Sequence, residues 1–364
     1  MRVIVTGGGT GGHIYPALAI ADKFKEMDPE TEILYVGNEE GIEKDVVPKT
    51  GYPMELVDAR WLDKSSPWQL IKTGARVAKG VLEANRVMRK FKPDVVIGTG
   101  GYVCFPVIIA GKRFGAKTFL HEQNAFPGLA NRTLEKYVNK VFLGFSDAAK
   151  YFKDPSKMVE AGNPVRKSFF SLNKTDARKK LGFPQDDFIV FSFGGSLGAE
   201  KINEVAFELM QVVNGHEKMR MVFGTGKWYY DSIIKKAEER GIVLKDNILI
   251  KDYIDDMENY LAASDLIISR AGALSVAETT VCGRACILIP NVTGNHQYYN
   301  AKAVADRGGA ILIEEKDLTS EGLIKEVMHL KNNPEIAEKM GRAARACAPM
   351  KALDIIYDEI QAAL

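Results

Sequence analysis

Two widely separated segments of the chain open alike: a short apolar run, a glycine-dense turn, then residues at helical spacing. The first reads Val5-Thr6-Gly7-Gly8-Gly9-Thr10-Gly11-Gly12-His13 and the second Phe193-Gly194-Gly195-Ser196-Leu197-Gly198-Ala199. A strand that enters a helix through a tight turn is the start of a βαβ unit, whose strands run parallel and are covered on both faces. Such an opening, met twice, predicts two open sheets, each with helices on both sides.

The rest of the pattern agrees with that constraint. Val3–Thr6, Ile33–Gly37, Asp94–Gly98, Lys117–His121 and Lys140–Gly144 are near-continuous apolar runs. Between them lie amphipathic stretches such as Ile14, Ala17, Leu18, Ala21 and Phe24. After the turn residues Gly162-Asn163-Pro164 the series restarts with Phe188–Phe193, then Met219–Gly224, Asn247–Ile250, Asp265–Ser269, Ala285–Ile289 and Gly309–Glu314. A chain of 364 residues exceeds what one core usually serves. The expected architecture is α/β, with two Rossmann-like doubly wound domains facing across a cleft. The first domain covers 1–162 and the second 163–349, with a last helix over 350–364 packing back on the first. Both glycine turns then sit at the carboxyl ends of their sheets, where open α/β sheets bind ligands.

Bulk properties exclude several classes. A net charge of +2 with a pI near 8.1 gives nucleic-acid binding no support. Cys104, Cys282, Cys286 and Cys347 form no CxxC pair and no metal-ligand spacing, a usage that suits a reducing compartment; Cys282 and Cys286, on one helix face or on separate elements, read as small buried hydrophobes. No charged leader precedes the strand at Arg2–Thr6, and no apolar run approaches the roughly 20 residues that span a bilayer. The expectation is a soluble or peripheral protein.

Several residues could carry chemistry. Gly7-x-Gly9-x-x-Gly12 satisfies the dinucleotide fingerprint formally, but Val36-Gly37-Asn38 closes the second strand where a ribose-binding acid belongs, with Glu39 and Glu40 just beyond. The loop Thr10, Gly11, Gly12 still implies that backbone amides approach something closely; a turn needed only for packing is the plainer reading. His13 follows at the helix start, suited to accept a proton near neutral pH, although a lone histidine is more often structural. Gly100, Gly101 and Tyr102 form an open turn on the same sheet edge. His121-Glu122-Gln123-Asn124 ends the next strand in four polar residues, with helix capping by Asn124 as the plain alternative.

In the second half, Ser196 in its glycine loop suits a phosphate. Ser269-Arg270-Ala271-Gly272-Ala273-Leu274-Ser275 follows a strand and leads to Glu278, where a carboxylate could accept both hydroxyls of a ribose or could simply complement the helix dipole. Asn295-His296-Gln297 offers polar groups for sugar hydroxyls. Asp255-Asp256 is the obvious metal candidate, but with no third ligand in view it reads as helix capping and first-turn charge, and no metal is expected. The helix from Trp68 to Lys90 sorts Leu70, Ile71, Val77, Ala78, Val81, Leu82 and Met88 to one side and Lys72, Arg76, Lys79, Arg86 and Lys90 to the other. A solvated face is the ordinary explanation. With Trp61, Leu62 and Trp68 just before it, the basic face also suits an anionic membrane surface.

Gly7–Pro16, Gly98–Tyr102, His121–Arg132, Gly162–Arg166, Gly194–Ala199, Tyr253–Met257, Arg270–Glu278 and His296–Ala301, in this order, resemble the MurG family of glycosyltransferases, within glycosyltransferase family 28. The resemblance runs from Gly7 to the last helix. It implies the GT-B fold and a cofactor-free, metal-independent, inverting transfer of N-acetylglucosamine from UDP-GlcNAc. The acceptor would be the muramyl 4-hydroxyl of undecaprenyl-pyrophosphoryl-muramyl-pentapeptide (lipid I), converted to lipid II in peptidoglycan synthesis. By the same resemblance Ile254 meets uracil, Glu278 the ribose, and Ser196 and Arg166 the diphosphate, with Ala273, Leu274 and Ser275 at the donor. Gln297, Asn124 and the Thr10–Gly12 loop would meet the sugar and its surroundings, and His13 would assist acceptor attack. Gly100–Tyr102 would face the acceptor diphosphate, with Glu122 nearby as acceptor contact or substitute base. His296 stands where some members have a second glutamine. The implied location is the cytoplasmic face of the membrane, with other cell-wall synthesis proteins as further partners. Another GT-B UDP-sugar enzyme (a glycolipid synthase or an epimerase) or a non-catalytic UDP-sugar sensor would share the second-domain motifs.

Overall fold

A computed structural model describes residues 1–59, 67–293 and 295–364, with the backbone alone for 67–75. The chain forms two compact units, Met1–Val165 with Lys351–Leu364, and Arg166–Met350.

In the first unit, β1 (Arg2–Thr6), β2 (Glu32–Asn38), β3 (Met54–Val57), β4 (Val95–Gly98), β5 (Lys117–Glu122), β6 (Lys140–Leu143) and β7 (Met158–Glu160) make one parallel sheet in the order β3-β2-β1-β4-β5-β6-β7. Its central strands are fully buried because helices cover both faces. β1 is flanked by β2 and by β4, with Thr6 opposite Val36 on one side and Gly98 on the other. The strand order therefore reverses between β1 and β4, and a crevice opens outside their carboxyl ends. Gly7–Gly12 leaves β1 there and Thr99–Val103 leaves β4.

The second unit repeats the scheme. β8 (Phe188–Phe193), β9 (Met219–Gly224), β10 (Ile248–Lys251), β11 (Leu266–Ser269), β12 (Ala285–Leu288) and β13 (Ile311–Leu312) form a parallel sheet in the order β10-β9-β8-β11-β12-β13. Phe193 lies opposite Ser269, so this switch point gathers the loop after β8 and the loop after β11.

The expected strands are present, Phe188–Phe193 and Met219–Gly224 with the expected ends and the others shifted by one or two residues at one or both ends. Two strands escaped the sequence reading, β3 and β7. Both are edge strands of four and three residues with half-exposed side chains, so neither carries the apolar run that marks a central strand. The helix Ala352–Gln361 lies against the helix Gly11–Met27 in the first unit. Ile356 and Ile360 enter its core, Tyr357 meets Phe24 edge-on at 5.1 Å, and Asp354 pairs with Lys23 at 2.6 Å. Cys282 ends a helix and Cys286 lies in β12, so the pair sits on separate elements, and all four cysteines are free thiols.

Candidate active site

In the first unit the loops after β1 and β4 interlock. Gly8 N–H donates to the Gly100 carbonyl at 3.2 Å, and a Cβ on Gly101, whose φ is +86°, would stand 2.4 Å from the Gly8 oxygen. The Thr99 hydroxyl lies within reach of the carbonyls of Thr6 (3.1 Å) and His13 (2.7 Å), and the Tyr35 hydroxyl donates to Gly7 O at 2.6 Å. These contacts fix where the helix Gly11–Met27 begins.

His13 sits in its first turn, half-buried, with Nδ1 2.9 Å from Gly8 O. A carbonyl only accepts, so in the neutral ring Nδ1 carries the hydrogen and Nε2 keeps its lone pair. Gly100 lies beside that edge of the ring. Its missing Cβ would be 2.8 Å from Nε2, and its φ is +114°. An imidazole with a fixed tautomer and a free lone pair beside an open glycine turn can take a proton from a hydroxyl held there. Thr10 and Gly12 are exposed at the mouth of the loop and Gly11 is partly so, while Tyr102 is 51% exposed.

The polar run at the end of β5 divides into scaffold and surface. His121 Nε2 donates to Gly162 O (3.0 Å), its Nδ1 accepts from Gln123 (3.0 Å), and Asn163 donates to Gln123 O (2.9 Å). Burial pushes the His121 pKa down to about 4, against an upward pull from the Gly162 carbonyl. Glu122 is buried and accepts from Asn124 N and Nδ2 through Oε1, and from Gly128 N and Asn131 Nδ2 through Oε2. Its lone pairs are thus taken by its own loop, and a substitute-base role would need one left free. Asn124 caps no helix, since the next one starts at Leu129.

The glycine loop has an acidic neighbour that sequence reasoning missed. Glu43, wholly buried, accepts from Gly9 N and Asn38 N at 3.0 Å each. The amide that a dinucleotide fingerprint would offer to a pyrophosphate is therefore occupied by the chain's own carboxylate. Glu39 and Glu40, the nearer acids in sequence, had drawn attention instead.

In the second unit a cavity of about 280 Å³ opens at the switch point, lined by Gly194, Gly198, Arg270, Ser275, Asn291 and Gln297 among others. The helix Ala273–Cys282 starts beside it with Gly272 as N-cap and no acidic residue in its first turn. Ala273, Leu274 and Ser275 thus present free amides and an unopposed dipole end, a site fit for an anion. Gln297 Oε1 accepts from Asn291 N at 3.0 Å. Ser196 is exposed in the loop after β8, and Ile254 packs over Gly224 at the end of β9.

Arg166 lies on the Phe169 ring with Nη2 3.1 Å from Glu258 Oε2. Glu278 keeps a partly exposed edge, yet burial on its other sides raises its pKa to about 7; Arg166 pulls it down and Glu258 pushes it up. Arg270 and Asn291 were not among the expected site residues. Arg270 is nearly buried, hydrogen-bonded to the carbonyls of Ile289 and Pro290 and ion-paired with Glu315, contacts between segments distant in sequence. Asp256 is engaged by Lys180 at 3.2 Å and by the Asn259 amide. Among the described residues no three His, Cys, Asp or Glu side chains are grouped to hold a metal ion.

The basic helix needs correction. It spans Pro67–Phe91, but Ala78 and Leu82, assigned to its apolar side, are exposed, Leu82 at 62%. Gly80, Ala84 and Val87 are buried instead, while Met88 is buried as expected. Lys79 pairs with Asp58 (3.3 Å) and Glu83 (3.5 Å), and Lys90 with Glu55 (2.8 Å), which offsets part of the basic face. Trp61 and Leu62 lie outside the described residues, as do the side chains of Trp68, Leu70, Ile71 and Lys72. Among the described residues no helix is long and apolar enough to cross a membrane.

The model of the glycosyltransferase family 28 N-terminal domain matches residues 3–143, and that of the family's C-terminal domain residues 189–356. A protein of Alkaliphilus oremlandii named UDP-N-acetylglucosamine–N-acetylmuramyl-(pentapeptide) pyrophosphoryl-undecaprenol N-acetylglucosamine transferase is 42% identical over 366 residues, covering 100% of this chain and 99% of its own. The protein of that name from Acetivibrio thermocellus is 41% identical, over 99% of this chain and 98% of its own. Among solved structures, MurG of Acinetobacter baumannii is 25% identical and superposes with a TM-score of 0.79 over 99% of both chains. The UDP-GlcNAc 2-epimerase of Neisseria meningitidis, 14% identical at a TM-score of 0.71, shares the fold alone.

Proposed function

The chain belongs to glycosyltransferase family 28, and on that premise we propose that it transfers N-acetylglucosamine from UDP-GlcNAc to the 4-hydroxyl of the muramyl sugar of lipid I, forming the β-1,4 link of lipid II. The observation that carries this reading is identity of about two residues in five along the whole length of relatives named for that reaction. An epimerase-like fold match at 14% identity has no such weight.

The reaction is a single displacement. His13 Nε2 takes the proton of the acceptor hydroxyl, whose oxygen attacks the anomeric carbon opposite UDP and inverts it. Gly100–Tyr102, with Glu122 shaping the neighbouring loop, receive the acceptor diphosphate. In the second unit Ile254 meets uracil, Glu278 accepts from the ribose, and Gln297 meets the sugar, with Asn124 and Thr10–Gly12 contributing from the first. The departing diphosphate is stabilised by the amides of Ala273, Leu274 and Ser275, by Ser196 and by Arg166. Engagement of Asp256 by Lys180 and Asn259 supports a transfer without metal. Because the acceptor is lipid-borne, the enzyme works at the cytoplasmic membrane face, docked through exposed cations and Leu82 of the helix Pro67–Phe91.

The test is incubation with UDP-GlcNAc and a lipid I analogue in excess EDTA, followed by product mass analysis. A product heavier by one N-acetylglucosamine is expected. No product with or without the chelator would overturn the assignment; loss of product only with EDTA would overturn the metal-free route.

A further inference from the structure

The peptide group that orients His13 is itself held from behind. Gly8 C=O and Gly9 N–H belong to one peptide unit. The carbonyl takes His13 Nδ1–H at 2.9 Å, while the N–H donates to Glu43 Oε2 at 3.0 Å. The other carboxylate oxygen takes Asn38 N–H at 3.0 Å, which ties Glu43 to the end of β2. The result is a line of hydrogen bonds, carboxylate to peptide to imidazole. A peptide with glycine on both sides is easily rotated, and Gly9 already has φ +83°. Rotating it would remove the His13 acceptor and present the imidazole with an N–H instead, reversing the favoured tautomer.

Glu43 is 0% exposed. Its two oxygens accept one backbone N–H each, which an amide side chain, with a single oxygen and an NH2, cannot match at both places. We infer that Glu43 is a positioning residue for the base: it locks the Gly8–Gly9 peptide so that His13 holds its hydrogen on Nδ1 and its lone pair on Nε2. This rests on the reading of His13 as the base.

Two measurements test it. In ¹⁵N-labelled parent protein, with the His13 signal identified by its loss in His13→Ala, the neutral ring should be the Nδ1–H form. In Glu43→Gln the population should move toward Nε2–H. Transfer by Glu43→Gln should fall at least about tenfold in kcat, the scale on which groups supporting an active side chain act, with KM for UDP-GlcNAc within about twofold. In the His13→Ala background the same change should cost little more, because the two residues act as one unit.

An Nε2–H ring in the parent overturns the inference even if the variant does not fold. So does unchanged kcat in Glu43→Gln, or a loss that adds in full to that of His13→Ala. If His13→Ala itself turns over within a few-fold of the parent, the base assignment fails and the inference with it. If His13→Ala is inactive while Glu43→Gln matches the parent, the inference alone fails.

Discussion

Donor binding should carry a pH dependence set by one carboxyl. Glu278 has its pKa raised to about 7, chiefly by burial, with Arg166 opposing and Glu258 adding to the rise. To accept two ribose hydroxyls it must be ionised, and the diphosphate of UDP-GlcNAc, esterified at both ends, does not titrate near neutrality. With a pKa of about 7, roughly one molecule in eleven is ionised at pH 6 and roughly ten in eleven at pH 8, so the apparent Kd should tighten about tenfold over that range. The exposed edge of the side chain makes this an upper bound. Calorimetry in two buffers of different ionisation enthalpy should register net proton release near pH 6, and Glu278→Gln should bind weakly with no slope. Free of donor, the linkage has the opposite sense. A carboxyl raised in the folded state contributes stability that is present below its unfolded pKa of about 4.3 and lost as pH rises through about 7. Glu278→Gln should therefore gain on the parent in stability toward pH 8. Equal Kd at pH 6 and 8 in the parent, or the same slope in the variant, would refute the assignment.

Three further outcomes are expected. Gly100→Ala sets a methyl 2.8 Å from His13 Nε2 at a φ of +114°, so transfer should fall by about 10² or more while UDP-GlcNAc affinity in the second unit holds; parent-like turnover would show that this edge of His13 is unused. His121, buried and neutral with a pKa of about 4, takes up a proton in the unfolded chain near 6.5. Stability should therefore fall as pH drops from about 6.5 toward 4, by about 2 kcal/mol at pH 5, and urea unfolding of His121→Gln should lack that share of the slope. Reversing Arg76 and Arg86 to glutamate should weaken sedimentation with anionic vesicles, each residue counting for about 1 kcal/mol; equal pelleting would make this face merely solvated.

Central features of the fold were legible because they are local. Runs such as Phe188–Phe193 announce strands buried on both faces, and glycine loops after β1 and β8 announce the two switch points. The helix Pro67–Phe91 was found but its phase was misread. Spacing alone puts Leu82 inward, whereas the helix turns Gly80 inward instead, where a Cβ would lie 2.2 Å from Asp58 O. Close approach to a distant backbone is invisible to periodicity. Glu43 was missed for a similar reason, since its partner Gly9 lies on another element and three acids, Glu39, Glu40 and Glu43, follow β2 in close succession. Glu122 looks free to act as an alternative base in the sequence; its lone pairs prove occupied only because Gly128 and Asn131 fold back on it.

The return of Ala352–Gln361 to the first unit bears on how the protein is made. The ribosome releases Met1–Val165, then all of Arg166–Met350, before this helix exists. Until then the flank of Gly11–Met27 that carries Phe24 and Lys23 lacks Tyr357 and Asp354. Domains usually fold as they emerge, the N-terminal one first. Here the earliest unit to leave the ribosome must wait, with an apolar flank uncovered, for the whole of the second to be synthesised. That interval is when a chaperone has something to hold.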